Sequence, residues 1–209
     1  MKMNPFLSIW GRPTETIRYV LNHKTLSYSF LLLALASLAM APISAAQFLF
    51  IEEIPVAAVV FFAVFGLFAA SLAGWLLYTA LYTWVGKWLG GTGTFTRMLS
   101  VVPLGSLPLI WIMPFSLLLG LSLTVLRFTE SGFAASYAVA ALFLGPLLML
   151  IIMGLSVYGT VILSKGIGIV HGFSAWKGFG TIAIILGIFI ALYIVFMIVV
   201  FSLIFSLSM

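Results

Sequence analysis

The chain has 209 residues, of which 64% are hydrophobic and 6% are charged. A soluble domain carries roughly 25% charged residues, so this sequence has too little charge to cover a water-facing surface and reads as an integral membrane protein. The net charge of +5 comes from cations scattered near the ends of apolar runs, which excludes a nucleic-acid partner, and the absence of cysteine excludes disulfides, thiolate chemistry and cysteine metal sites.

Apolar runs longer than about 18 residues recur, the signature of spanning helices rather than barrel strands. Such spans satisfy their own backbone hydrogen bonds. The sequence therefore predicts an all-α polytopic membrane helical bundle with five transmembrane helices, a single domain over residues 28–209. Residues 1–27 are expected to form a cytoplasmic lead-in of short interfacial helices.

In the lead-in, Asn4-Pro5 pairs a capping residue with proline at the first helical position. Phe6, Leu7, Ile9 and Trp10 make an apolar patch ended by Gly11, with Trp10 suited to the headgroup level. Pro13 starts a second helix, in which Ile17, Val20 and Leu21 share a face and Glu15 and Arg18 pair on the other. This reads as a helix lying along the membrane, either an anchor for the first span or a docking surface. The first span runs from about Tyr28 to Ile51, with Pro42 as a kink position. Ser44-Ala45-Ala46 slightly resembles a signal cleavage site, but the polar region before Tyr28 is too long and the apolar run continues past it, so no cleavage is expected.

The second span covers about Val56 to Val85, with an aromatic belt of Tyr78, Tyr82, Trp84 and Trp88 at its end. Gly66, Ala70 and Gly74 form a small-residue stripe, suited to packing within the bundle or in a homodimer. Lys87 to Pro114 is the longest break in the apolar sequence. There Gly90, Gly91 and Gly93 surround Thr92 and permit tight turns. The loop lacks the GxxxxGK[ST] pattern and the preceding strand of a nucleotide site. Lys87 and Arg97 flank it, holding it on the cytoplasmic side or touching anionic headgroups.

The third span, about Leu99 to Leu126, contains Pro103, Pro108 and Pro114, each without a backbone donor. Ser100, Ser106 and Ser116 are available to repair the ladder. This is the expected hinge or broken helix. Ser116, Gly120 and Thr124 form a second small-residue row. Arg127 and Glu130 mark an outer loop, with Gly132 as breaker.

The fourth span covers about Phe133 to Leu163, divided at Gly145-Pro146. Ser156, Thr160 and Ser164 line one face of it, as a water path or as interhelical packing. Lys165 to Lys177 is read as the last cytoplasmic stretch, followed by a fifth span from about Phe179. His171 lies there between two cations and reads as solvated or interfacial. His171 and His23 without a carboxylate cluster make a poor metal site.

Lys2, Arg12, Arg18, Lys24, Lys87, Arg97, Lys165 and Lys177 fall on one side of these spans, and Arg127 falls on the other with Glu52, Glu53 and Glu130. Cation counting then puts the N-terminus in the cytoplasm and the C-terminus outside. No ionisable residue falls inside the spans so placed, and no Ser–His or paired-carboxylate arrangement occurs in them. No catalytic residue, cofactor or metal site is expected.

Four stretches carry a family resemblance: NPFLSIWGRPTETIRYVL with Trp10 and Pro13, LGGTGTF from Leu89 to Phe95, SVVPLGSLP from Ser100 to Pro108, and GFSAWKGF from Gly172 to Phe179. Together they resemble the Yip family, the Ypt/Rab GTPase-interacting membrane proteins, and in particular its prokaryotic members. The resemblance spans nearly the whole chain. It implies a non-enzymatic membrane organiser or interaction scaffold in a bacterial or archaeal cytoplasmic membrane. The candidate interaction and loop residues are Trp10, Pro13, Gly90, Gly91, Gly93, Pro103, Pro108, His171 and Lys177. The expected partners are the lipid bilayer and other membrane proteins or a second copy. Eukaryotic relatives contact prenylated small GTPases through a cytoplasmic N-terminal region. This sequence departs from them there, being short and lacking a long polar region, so small GTPase binding rests on the resemblance alone. The alternative is a small transporter or channel subunit using the proline-broken third span and the Ser156, Thr160, Ser164 row. A lipid-modifying enzyme would have only His171 and Lys177 to work with.

Overall fold

The computed structural model describes residues 3–46, 48, 51, 53–127 and 131–207, and their side chains except those between 123 and 144 and at 207. Lys2, Glu52 and Glu130, and the side chains of Thr124 and Arg127, lie outside the described residues. The described elements are helices throughout.

Two short helices come first, α1 (Pro5–Gly11) and α2 (Pro13–His23). Asn4 caps α1 by accepting the Phe6 N–H at 3.1 Å, and each helix carries proline at its start, where the missing donor costs nothing. The Thr16 hydroxyl lies 2.8 Å from Ser8 Oγ and 2.8 Å from the Arg12 carbonyl, which ties the two helices together. The expected Glu15–Arg18 pair does not form: Glu15 instead meets Arg12 at 3.8 Å. The apolar face of α2 is also not turned to the bilayer. Ile17 and Val20, with Ile9 of α1, are buried in the main core of the protein. Removing each of these side chains from water contributes roughly 1.5–3 kcal/mol.

The first spanning helix is α3 (Leu26–Ala46). The second is continuous from α4 (Val56–Phe61), through a π-helical turn at Phe62–Gly66, to α5 (Leu67–Trp88). The third is broken, as its prolines predict. It comprises α6 (Phe95–Val101), a 3-10 turn (Val102–Ser106), α7 (Leu107–Ile110) and α8 (Met113–Arg127). Pro103, Pro108 and Pro114 each fall in the opening turn of a segment, and the two halves meet at a bend of 57°. Ser106 and Ser116 donate to the carbonyls of Pro103 (2.8 Å) and Met113 (3.0 Å), serving the broken ladder as expected. Ser100 takes part only through its carbonyl, which faces Ser29 Oγ at 3.5 Å.

The fourth helix, α9 (Ser131–His171), has 41 residues, and the fifth, α10 (Ala175–Leu207), has 33. Among the described residues, four helices are long and apolar enough to cross a bilayer, and the bent α6–α8 pair makes a fifth where it is counted as one span. Two expectations fail at α9. Gly132 and Gly145-Pro146 do not interrupt it, and it does not end near Leu163 but carries Lys165 and His171 within its last turns. The reason is that Gly166 and Gly168 serve packing rather than breaking. A Cβ at Gly166 would fall on Val101, and one at Gly168 would stand 3.0 Å from the Phe173 carbonyl. The loop that follows is only residues 172–174, and Lys177 already lies in the first turn of α10.

Packing is concentrated at the end that carries α1, α2 and the two glycine loops. One cluster there joins Ile9, Ile17 and Val20 to Leu32, Val85, Met98, Leu104, Leu107, Ile162, Ile167 and Ile185. Since lipid is as apolar as these side chains, close backbone approach must hold the spans together. A Cβ at Gly159 would land on the Gly105 carbonyl, and one at Gly178 on the Ser164 carbonyl. Gly120 takes the ring of Pro42 so closely that a Cβ on the glycine would stand 2.7 Å from Pro42 Cβ. By contrast, α10 beyond Leu186 is exposed on nearly every face.

Candidate functional site: a histidine enclosed by two glycine loops

Two helices end side by side at the packed end, and both end in the same way. Helix α5 is closed by Gly90 at φ 83°, with Gly90 N–H donating to the Lys87 carbonyl (3.0 Å) and Gly91 N–H to the Gly86 carbonyl (3.0 Å). Helix α9 is closed by Gly172 at φ 75°, with Phe173 N–H donating to the Gly168 carbonyl (3.0 Å). These are Schellman ends, and the left-handed residue each requires is glycine because a side chain is strained there.

The last residue of α9, His171, is 2% exposed. Its imidazole sits in a cup formed by Gly86, Gly91 and Gly93: a Cβ at Gly86 or Gly91 would fall on the ring, and one at Gly93 would come within 2.8 Å of it. Gly93 N–H donates to Nδ1 at 3.1 Å, which places the ring proton on Nε2. Nε2 is buried with no hydrogen-bond partner, and the Tyr82 backbone interacts electrostatically with the ring. Phe173 stacks on the ring at 5.3 Å and 8°. The Thr92 N–H donates to the His171 carbonyl at 3.1 Å, tying the loops together through the backbone as well.

The expected solvated histidine is therefore corrected: His171 is the buried pin between the loops. Of the other candidates, Gly90 only closes the end of α5, whereas Gly91 and Gly93 join it directly. Trp10 does not, but stacks flat on Tyr158 of α9 at 5.2 Å and 1°. The Tyr158 hydroxyl, 2.9 Å from each of the Ile9 and Trp10 carbonyls, fixes α1 on α9. Pro13 opens α2, and Pro103 and Pro108 are buried in the broken span. Lys177 is exposed and outside the cup.

Gly86, Tyr82, Tyr158 and Phe173 were not expected in these roles. Tyr82 was expected in the aromatic belt but is buried, whereas Tyr78, Trp84 and Trp88 are exposed as a belt requires. The sequence signal for Gly86 was its place in the last turn of α5, just before the glycine loop.

Apolar spanning helices, a proline-broken span and a packed loop end define an integral membrane protein with an ordered, interlocked surface at one end. The Yip1 domain family model matches residues 7–206, and the chain belongs to that family. No curated protein and no solved structure matches the chain.

Proposed function

We propose that this protein is a non-enzymatic membrane organiser of a bacterial or archaeal cytoplasmic membrane, an interaction scaffold with its packed end in the cytoplasm. The observation that supports this most is the interlocking of the loops. α1 and α2 share the core beneath the loops, and the two glycine loops share hydrogen bonds, which presents Thr94 and Ser174 on one preorganised surface while Trp10 is held separately on α9 by Tyr158. Preorganisation lowers the ordering cost of binding a partner. The cations Arg12, Arg18, Lys24, Lys87, Arg97 and Lys177 accompany that end, which favours the cytoplasmic side.

Transport draws less support. Thr160 Oγ1 donates to the Ser156 carbonyl at 3.0 Å and Ser164 Oγ to the Thr160 carbonyl at 2.7 Å, so both hydroxyl protons are spent within their own helix, and Ser164 is buried. A second copy is a reasonable partner at the other face. Among the described residues, a Cβ at Gly66 would have nothing within 4 Å and one at Gly74 would meet only Tyr78 of its own helix, so these two glycines of the stripe are not used for close packing there.

The test is photocrosslinking in native membranes from Trp10, Thr94 and Ser174, read by mass spectrometry. Recurrent capture of one defined protein supports the scaffold. Capture of lipid alone at all three positions contradicts it.

A further inference from the structure

We propose that the groove between α2, α6 and the end of α9 is a binding site for a phosphate-bearing anion, supplied by a lipid headgroup or by free phosphate. The groove has a volume of about 530 Å³ and is lined by Arg18, Leu21, Asn22, Arg97, Ile169 and Phe173, with Gly168 and Gly172 alongside. Pockets that hold small ligands span roughly 300–1,000 Å³.

Arg18 and Arg97 come from different helices yet face the same space, and among the described residues neither has a carboxylate partner. Glu15 pairs with Arg12, and Glu53 follows α3 at the opposite end of the bundle. Two like charges around one groove repel each other unless an anion lies between them. Guanidinium groups bind phosphate through paired N–H donors, and Asn22 adds a further donor. The end of α9 brings a partial negative charge nearby. It is a fraction of one charge against two, and the Gly168 carbonyl is already taken by the Phe173 N–H.

Depth favours the same class of ligand. The exposed rings of Trp88 and Trp176 lie at the loop ends of α5 and α10, where indoles mark the headgroup layer. Leu21, Ile169 and Phe173 give the groove an apolar wall beside its cations. This site does not depend on the scaffold reading, since a protein partner and a bound anion are read by different experiments.

The test uses the full chain in lipid nanodiscs containing phosphatidylcholine with a minor share of phosphatidic acid, and native mass spectrometry of the released complexes. The wild type is expected to retain phosphatidic acid over phosphatidylcholine. Arg18→Gln with Arg97→Gln is expected to reduce that retention by about tenfold or more, the scale of one lost charge-assisted contact. Lys87→Gln with Lys177→Gln removes the same charge from the same end outside the groove and is expected to lower retention far less than the arginine variant, by the general attraction of surface cations alone. Excess inorganic phosphate that displaces the lipid assigns the site to phosphate in general, and failure to displace it assigns the site to the headgroup. Equal retention by the wild type and the arginine variant, or equal loss in the lysine variant, overturns the proposal. Both arginines are exposed, so an unchanged thermal transition should accompany the arginine variant.

Discussion

At the scale of single residues, His171 and its glycines make a graded set of expectations. His171→Ala removes the acceptor for Gly93 N–H and leaves a void in the cup. The expected loss is about 2–4 kcal/mol, measured by thermal or denaturant unfolding in detergent. Gly91→Ala drives a methyl group into the imidazole and should cost about 1–3 kcal/mol. Gly90→Ala meets open space but keeps a positive φ, and should cost only about 1 kcal/mol. The order, with Gly90→Ala mildest, is the informative result. Equal effects at Gly90 and Gly91 would mean that the cup does not close on the ring.

The sequence singled out Gly90, Gly91, Gly93 and His171, but not their meeting. Glycine next to a span reads as a breaker, while its use as a seat for a ring depends on a partner about 80 positions away in the chain. His171 looked solvated for the same reason. Its local neighbours are two cations and several glycines, and most of its burial comes from Gly86, Gly91 and Gly93, with Phe173 stacked on the ring.

Among the elements, the small-residue rows divide into used and unused. Gly120 is pressed on Pro42, so Gly120→Leu should destabilise the α3–α8 pair by about 1–3 kcal/mol. Gly66 meets nothing, so Gly66→Leu should change the stability of the monomer by less than about 0.5 kcal/mol. If the stripe joins two copies, Gly66→Leu should nonetheless reduce energy transfer between labelled chains in liposomes. The broken third span was legible because proline spacing acts locally: each ring ends one segment and opens the next. The length of α9 was not. Gly166 and Gly168 suggested a loop, yet each is packed against a neighbour that sequence reading could not place. The amphipathic face of α2 was legible as a pattern, but the same pattern serves burial in a bilayer or against other helices, and here it is buried against the protein.

For the whole molecule, the arrangement is a tight end and a loose end. The family and the membrane class follow from composition and from motifs spread along the chain, which is why both were legible. The side of the membrane can be tested directly because the chain has no cysteine. Thr94→Cys should be shielded from a membrane-impermeant maleimide in intact cells and labelled after lysis, and Phe48→Cys should be labelled without lysis. The reverse pattern would invert the topology.

The central claim is that the two glycine loops act as one surface because His171 holds them. The most direct measurement is photocrosslinking from Thr94 and from Ser174, in the wild type and in His171→Ala, at equal amounts of membrane-inserted protein. The account predicts that both positions capture the same protein in the wild type and that both lose it together in the variant. Capture that persists unchanged from either loop without the histidine would contradict it.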